Sequence, residues 1–370
     1  MPKFYEVYGN DVNDKSPSVI AERELAYCPF TESTCDGGGN RHQTKIRLEG
    51  SALRAKFSPE LTSVIPGVCS IEYGNEVWIV CPRRLLGFNA SSMPPRVNQS
   101  LKDHEKAALI NVGLPLGVEL GVWSEVYLQY GDDNSSINYH FDFVISPISR
   151  GISFDKLLES YKEKTESEID ELKKAAKIGK YLSGRYVPGK PVPILPNLAS
   201  PIIIEVMTAS TSGSDTEAGT DIASAFTDAI LGKNHNCPGI NKRQVWGRMA
   251  TQLFAKSALA EGWGGKTVWL VQDQLLKNIE LTTKLKVENT KDENTKEAHN
   301  GTVNFLSMGY THGAKGVDSV KFRSYSAKSA GLSFEGNKEC TDILLPKMYP
   351  AKMELLKSVL RRELSAIIKL

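Results

Sequence analysis

Apolar and polar residues follow one another along the chain in patterns that predict short strands separated by amphipathic helices. The strongest apolar run, Ile202–Ile204, predicts a strand buried on both faces, and Glu205 follows it directly. An ionised carboxylate in that place needs a partner, because burying it alone costs several kcal/mol. Other apolar runs predict strands at residues 76–81, 117–130, 136–146 and 266–272.

Helical periodicity alternates with these strands. A proline-rich linker at residues 187–201 leads into the Ile202 strand. A polar turn at 132–134 would pair the strands predicted at 117–130 and 136–146. Residues 281–301 are predicted to form an exposed loop. The order strand, strand, strand, helices, strand predicts an α/β core with a mixed sheet. The predicted helices cover residues 100–110, 153–182, 220–231, 241–260 and 350–368.

Composition places the chain among ordinary globular proteins. It has 370 residues, of which 41% are hydrophobic and 24% charged. No apolar run has the 18 or so residues of a membrane span, and the N-terminus has no apolar segment of a secretory signal, so we expect an intracellular protein without a membrane partner. The net charge of +2 argues against a histone-like polycation but allows a DNA enzyme with a basic cleft.

Four of the six cysteines fall within the first 81 residues. In a reducing cytosol, clustered cysteines favour a metal over disulfides, and four thiolates suit a closed, structural site for zinc or iron. Four unrelated cysteines are the alternative, because the spacing is looser than that of a zinc ribbon. Cys237 and Cys340 stand apart and read as ordinary thiols. The candidate ligands are Cys28, Cys35, Cys69 and Cys81.

Two carboxylates could meet at neighbouring strand ends. Asp142 lies between Phe141 and Phe143, which should both point away from it because strand side chains alternate. Together with Glu205 it would form a hard-oxygen site for Mg²⁺. The alternative is an edge charge at Asp142 and a core salt bridge at Glu205.

The helix at 241–260 carries polar residues at a spacing of four. Arg248, Gln252 and Lys256 therefore lie on one face, where they could bind phosphates or orient water beside the carboxylates. A solvated helix face is the alternative.

The motifs in this order resemble the NotI family of type II restriction endonucleases, over residues 27 to 274. The resemblance implies a PD-(D/E)XK nuclease fold, with Asp142 and Glu205 as ligands of catalytic Mg²⁺ and the four cysteines as ligands of an N-terminal metal site. It also implies a homodimer that reads double-stranded DNA. The matching segments are CPF at 28–30, GVC at 67–69, WIVCPRRL at 78–85, FDF at 141–143, IIIEVMT at 202–208 and VWGRMATQLFAKSAL at 245–259.

The chain departs from the family pattern at Met207, where the family has Gln, or Lys in relatives. A thioether donates no hydrogen bond to water and carries no charge. Gln252, Lys256 or Lys190 could supply that function instead, or Met207 is core packing and the site works with less help.

A second departure is the long interval between Asp142 and Glu205, which the helix predicted at 153–182 fills as an insertion. If Asp142 is not the ligand, Glu125 and Asp133 are the replacements that we consider.

Basic and hydroxyl side chains are candidates for DNA contact. Cations of the insertion could neutralise phosphates, and serines after Glu205 could contact phosphates or base edges. A solvated helix and a flexible loop are the alternatives, and His140 and His235 read as structural. The candidates are Lys173, Lys174, Lys177, Lys180, Arg185, Lys190, Ser210, Ser212, Ser214 and Arg248.

We therefore expect a four-cysteine metal-binding region over residues 1–105, a nuclease core over 106–280 and a C-terminal region over 281–370. The predicted function is sequence-specific, Mg²⁺-dependent hydrolysis of both DNA strands in the cytoplasm of a prokaryotic cell. One alternative is a DNA-binding pseudo-nuclease or partner-dependent subunit, because of Met207. Another is a metal-containing module unrelated to nucleic acid.

Overall fold

The structure, a computed structural model, describes a large part of the chain, and every structural statement below concerns those residues. They are 1–39, 45–88, 96–97, 101–132, 135–161, 164–283, 288–289, 303–310, 320–326, 345 and 348–370. Among them, no helix is both long enough and apolar enough to cross a membrane.

Most of the strands are short, and two long ones form a hairpin at the centre of the molecule. The strands of the N-terminal third are β1 (Lys3–Val7), β2 (Asn10–Asp11), β3 (Tyr27–Cys28), β4 (Ser33–Thr34), β5 (Ile46–Arg47), β6 (Ser63–Val64), β7 (Val68–Tyr73), β8 (Glu76–Ile79) and β9 (Arg96–Val97). Those of the rest are β10 (Leu120–Asp132), β11 (Ser135–Ser153), β12 (Pro191–Pro196), β13 (Ile202–Met207), β14 (Ser210–Thr211), β15 (Ser214–Asp215), β16 (Thr220–Asp221), β17 (Ile240–Asn241), β18 (Lys266–Gln272), β19 (Glu288–Asn289), β20 (Asn304–Tyr310), β21 (Val320–Ser326) and β22 (Ala366–Ile368).

Helices cover both faces of the sheet that these strands form. The α-helices are α1 (Pro17–Glu24), α2 (Asp103–Asn111), α3 (Phe154–Glu159), α4 (Glu166–Ile178), α5 (Ile222–Ile230), α6 (Lys242–Gly262), α7 (Asp273–Thr282) and α8 (Lys352–Leu360). Three-residue 3₁₀ turns occur at Gly37–Gly39, Arg54–Lys56 and Pro82–Arg84.

The largest sheet in the described part of the chain has ten strands in the order β19-β21-β20-β18-β13-β11-β10-β22-β9, with β12 added beside β11. The hairpin β10–β11 and its neighbour β13 are antiparallel, and β13, β18 and β20 run parallel. The fold is therefore mixed α/β, and the predicted order of three strands, helices and a further strand is confirmed in β10, β11, β13, α5, α6 and β18.

The two faces of this sheet are packed separately. Ile202 and Ile204 join the core that contains Leu109 of α2, while Ile203 packs in the core that contains Leu259 of α6. The three isoleucines thus fill both sides, as a strand between two helical layers requires. Alternation places Glu205 on the α6 side, with Ile203.

The N-terminal sheet, in the order β2-β1-β7-β8, shares a core with the large sheet. Gln272 at the end of β18 fastens the two sheets together: its amide oxygen accepts from Ile79 N at 2.9 Å and its amide nitrogen donates to Val77 O at 2.7 Å. The segment after β13 is fastened in the same way, since Ala209 N donates to Ile79 O at 3.0 Å. The cysteine region is therefore held against the end of β13.

Several predicted boundaries are wrong. The strand predicted at 136–146 continues to Ser153, and the loop predicted at 281–301 overlaps the end of α7 and the strand β19. The single helix at 153–182 is two helices, α3 and α4, because Ser160 ends the first and Thr165 caps the second by accepting from Glu168 N. The linker at 187–201 contains an edge strand, β12, which pairs with the end of β11. The terminal helix stops at Leu360, and residues 366–368 form β22, which pairs with β10.

Candidate active site

Asp142 and Glu205 meet where β11 and β13 separate. The last paired residues are Phe143 and Ile204, and one further step in the same register would set Asp142 opposite Glu205. There the Asp142 side chain replaces the strand backbone, and its Oδ2 accepts from Val206 N at 2.8 Å. The two carboxylates that the sequence singled out thus lie side by side at one edge of the sheet.

Lys256 lies against Glu205 from helix α6. Its ammonium donates to Glu205 Oε2 and to the carbonyl of His140, both at 2.6 Å, between the rings of Phe141 and Trp269. Glu205 is 4% exposed and Lys256 is 2% exposed, so this is a buried ion pair. Removing one partner of such a pair strongly destabilises the protein, because the other charge stays buried.

The burial of these acids changes their protonation. Loss of water raises the pKa of Glu205 to about 8, with the charge of Asp142 adding to the rise and Lys256 opposing it. Burial also raises the pKa of Asp142, against the attraction of Lys256 and the Val206 hydrogen bond. Both acids bind a proton more tightly than exposed carboxylates do, and a cation beside them would replace that proton.

Met207 packs in the core. It is buried among apolar residues that include Leu253 of α6 and Trp269 of β18. Of the residues considered as its replacement, Lys256 is the one that contacts Glu205. Gln252, one turn earlier on α6, is exposed, and Lys190 lies beside Pro191, which pairs with Ser153 at the far end of β11.

The hairpin is distorted at Asp142. Glu125, on the adjacent strand, has φ of 54°, a left-handed conformation that a non-glycine residue rarely adopts. Phe141 and Phe143 accordingly pack in different cores on opposite faces, so the expected regular alternation around Asp142 is wrong. The carboxylate of the distorted residue, Glu125, contacts His140 and Arg83. Asp133, the other replacement considered for Asp142, lies outside the described residues.

Glu125 is surrounded by basic side chains. Its Oε2 lies 3.0 Å from His140 Nε2 and its Oε1 lies 3.8 Å from Arg83 Nη2. The hydrogen bond from His140, the charge of Arg83 and that of Arg362 lower the pKa of Glu125. His140 and Glu125 are thus part of the site, and Arg83 and Arg362 were not predicted at all.

Some of the predicted DNA contacts lie near this cluster. Lys180 pairs with Glu363 at 2.7 Å, next to Arg362, whose Nε donates to Ser124 O at 3.1 Å. Lys173 is engaged within its own region, paired with Asp170 and placed over the Tyr186 ring. The other cations of this group are exposed, namely Lys174, Lys177, Arg185, Lys190 and Arg248.

The serine segment after β13 is ordered into two small ladders. Ser210 belongs to β14, which pairs with β17, and Ser214 belongs to β15, which pairs with β16. Ser212 and Ser214 are exposed, while Ser210 is half-buried and its hydroxyl donates to Asn241 O at 3.5 Å.

The four N-terminal cysteines form one cluster of free thiols. Cys28, Cys69 and Cys81 are buried together with Phe30, and Cys35 packs against them. Cys69 donates a hydrogen bond to Cys81, which raises the pKa of Cys69 and lowers that of Cys81. Cys340 lies outside the described residues.

Backbone amides surround these sulfurs. Gly9 N donates to Cys69 Sγ at 3.2 Å and Gly37 N donates to Cys35 Sγ at 3.4 Å. A side chain at Gly38, whose φ is 70°, would come within 2.7 Å of Cys81 Sγ. The glycine run thus lets the backbone close over the sulfurs, and N–H donors of this kind stabilise thiolates.

As the side chains stand, no group of three or more His, Cys, Asp or Glu residues in the described ranges is arranged to hold a metal ion. The donor chemistry nevertheless fits one at both places. Glu205 Oε1 is buried and has no hydrogen-bond partner, and it lies beside a second carboxylate. The four thiols have the soft donors and the supporting amides of a tetrahedral zinc or iron site.

Asp142, Glu205 and Lys256 can be identified from the sequence, because each lies in a regular element. Arg83 and Arg362 have no such signal, because they follow the ends of β8 and α8 and reach the site only through tertiary packing.

Comparison of the sequence with protein-family models and with curated proteins found no match for the chain.

Proposed function

We propose that this chain is a sequence-specific, Mg²⁺-dependent endonuclease of the type II restriction class, built on a PD-(D/E)XK nuclease core. The observation that carries the proposal is the cluster of Asp142, Glu205 and Lys256 at the edge of a mixed sheet. Two carboxylates and a lysine, with one buried carboxylate oxygen lacking a partner, are suited to phosphodiester hydrolysis.

Asp142 and Glu205 would hold Mg²⁺, which when bound polarises the phosphate and makes an attacking water more acidic. In the reaction a water oxygen bonds to phosphorus and the bond from phosphorus to O3′ breaks. The proton of the water passes to the leaving oxygen, giving 5′-phosphate and 3′-hydroxyl ends.

Lys256 would take the place of the donor that Met207 cannot supply. Its ammonium already contacts Glu205 Oε2, and its three donors allow it to keep that contact while orienting a water or a phosphate oxygen. The cost of keeping this cation buried is offset by Glu205, by the His140 carbonyl and by the two aromatic rings.

The surrounding cations would bind the DNA backbone. Arg83 and Arg362 lie on two different segments near Glu125, and Lys180 pairs with Glu363 beside Arg362, so these side chains could contact phosphates on either side of the cleaved bond. The cysteine cluster, loaded with zinc or iron, would brace the segment that carries Arg83. A homodimer would read a palindromic site in cytoplasmic DNA.

The proposal is tested by incubating purified protein and plasmid DNA with Mg²⁺, beside Glu205→Gln and Asp142→Asn. We expect discrete fragments from the wild type and a loss of at least about a hundredfold in rate for each variant, as removal of one group that stabilises the transition state causes. Glu60→Gln, the same kind of substitution at an exposed glutamate outside the carboxylate cluster, is the control for protein preparation.

A gel-shift measurement in the same buffer separates the alternatives. DNA binding without cleavage, in wild type and variants alike, would support the pseudo-nuclease or partner-dependent subunit. Absence of both cleavage and DNA affinity at low salt would leave a metal-containing module unrelated to nucleic acid.

A further inference from the structure

A cavity of about 860 Å³ lies between helix α1, the start of β1 and the turn that follows α5. Small-molecule sites in proteins commonly have volumes of about 300–1,000 Å³, so a molecule the size of a nucleotide would fit. The walls come from segments that are far apart in the sequence, and none of the lining residues belongs to the cluster of Asp142, Glu205 and Lys256. The cavity is therefore a candidate binding site separate from the proposed site of cleavage.

The charge of the lining is strongly positive. Five Lys or Arg side chains and two Glu side chains line the cavity, whereas the whole chain has 45 Lys and Arg against 43 Asp and Glu. Lys3 has Glu72 opposite it across β1 and β7, but Lys15 and Lys56 form no ion pair with any residue that the structure describes. A concave surface lined by one sign of charge attracts ions of the other sign, so the cavity is suited to a ligand with more than one negative charge.

Hydrogen bonds to the backbone hold the walls in place. Phe4 N donates to His235 Nε2 at 3.2 Å, which joins β1 to the segment after α5. Arg23 Nη1 donates to Asp14 O at 2.8 Å and its Nη2 donates to Asp11 O, which fastens the loop before α1. Because the walls are fixed in this way, binding requires little ordering of the protein.

The chemistry of the lining favours phosphate over carboxylate. The planar fork of Arg23, which would suit a carboxylate, is occupied by the two backbone carbonyls, and the four other cations of the lining are lysines. Lysine binds phosphate as a point charge. Beside the lysines lie Phe4, Ile230 and Ile20, and Ile20 is 43% exposed. A ligand that carries both a ring system and phosphates would cover these apolar residues and neutralise the lysines.

We propose that this cavity binds an organic polyphosphate of nucleotide size, with its phosphates beside Lys15 and Lys56 and its ring against the apolar residues around Ile20. The inference does not depend on the nuclease proposal, because the two sites share no residue. A patch of surface charge would bind any polyanion alike. A built cavity prefers the polyanion that also fills its apolar side.

Isothermal titration calorimetry of the full chain with ADP and with pyrophosphate tests the inference. We expect ADP to bind more tightly than pyrophosphate. Lys15→Met and Lys56→Met should each weaken binding of both molecules by about tenfold, as the loss of one charged hydrogen bond does. Ile20→Asn should weaken binding of ADP by about threefold and leave that of pyrophosphate unchanged, because it removes apolar contact alone.

Lys106→Met is the matched control, since Lys106 is exposed on α2 and lies outside the lining. The three lining residues that are changed are exposed as well, so melting curves should show all four variants folded like the wild type. Wild-type protein that does not bind ADP, or that binds pyrophosphate as tightly as ADP, would overturn the inference. Equal weakening by Lys15→Met and Lys106→Met would also overturn it, because binding would then follow the overall charge of the protein.

Discussion

Lys256 reaches Glu205 from helix α6, whereas the sequence resemblance places the corresponding polar residue two positions after Glu205 on the strand. A lysine on α6 can take the place of that strand residue because the helix lies against the face of the sheet on which Glu205 lies. Met249 and Leu253 of α6 pack in the core that holds Met207, and Leu259, one turn after Lys256, packs with Ile203. Lys256 therefore lies opposite Glu205, and Met207 is left to fill apolar space.

Lys256→Met should abolish cleavage and, above about pH 8, where Glu205 is ionised, should lower the free energy of unfolding by about 3–5 kcal/mol, because the carboxylate would remain buried without its partner. Urea denaturation and the plasmid assay measure the two effects. Met207→Leu is the control: it conserves volume in an apolar site, so it should cost less than about 1.5 kcal/mol and keep cleavage. Full cleavage by Lys256→Met would contradict the role given to this residue.

Glu205 makes stability depend on pH in a definite direction. Burial raises its pKa in the folded protein to about 8, above the value of about 4.3 in an unfolded chain. The stabilisation that protonated Glu205 gives the folded protein is therefore complete below about pH 4. It is lost as the pH rises through about 8, because the folded state disfavours the ionised form.

Urea denaturation of metal-free protein between about pH 5 and 8.5 tests this dependence. The free energy of unfolding of the wild type should fall relative to that of Glu205→Gln, which has no carboxyl to ionise. Affinity for Mn²⁺ should rise over the same interval as protons leave the site. A constant difference between the two proteins across this range would refute the assignment.

The site residues differ in how visible they are in the sequence. Asp142 and Glu205 follow apolar residues in strands, and Lys256 lies at helical spacing from Gln252. The pattern of apolar and polar residues therefore identifies all three. The left-handed backbone of Glu125 has no sequence signature, since glutamate rarely adopts it. The position of Arg83 was not predicted for another reason: it is set by the cysteine cluster and by the turn that follows Cys81.

Among the elements, those that lie between two layers were predicted well, and those at edges were not. The core strands β13 and β18 are apolar along most of their length and are buried between layers. Strand β12 contains Pro191, Pro193 and Pro196, which argue against a strand. They are tolerated because β12, within the described residues, pairs only with β11 and lies at an edge. Strand β22 has three residues, too few for a periodic pattern.

The cysteine cluster is an element whose stability should depend on a bound metal. Cys69→Ser should lose the ion, measured as about one zinc or iron per chain by elemental analysis, and should lower the melting temperature by several degrees. Cys237→Ala is the matched control, because that thiol is buried outside the cluster and should leave the metal content unchanged. Wild-type protein that folds with no metal and does not respond to a chelator would count against the site.

At the scale of the whole molecule, a buried polar network joins the N-terminal sheet to the large one. Arg84 Nε lies 3.2 Å from Glu6 Oε2 of β1, and Tyr310 of β20 donates to Glu6 Oε1 at 2.9 Å. The Arg84 guanidinium also faces the rings of Phe30 and Tyr310. This network fixes the cysteine region, and with it Arg83, relative to the large sheet.

Arg84→Met should therefore destabilise the protein by about 3–5 kcal/mol, since Glu6 would be a buried charge without its cation. The double variant Glu6→Gln with Arg84→Met should recover part of that loss, because no uncompensated charge remains. Chemical denaturation of the three proteins gives both values. A single variant as stable as the wild type would show that the network does not join the two sheets.

The central claim is that the carboxylate pair cuts DNA at a defined sequence. Its most direct test is to incubate bacterial genomic DNA with the purified protein and Mg²⁺ and to sequence the ends that form. We expect 5′-phosphate ends that share one palindromic sequence and are absent with Glu205→Gln. Ends scattered without a common sequence, or no ends above those of untreated DNA, would contradict it.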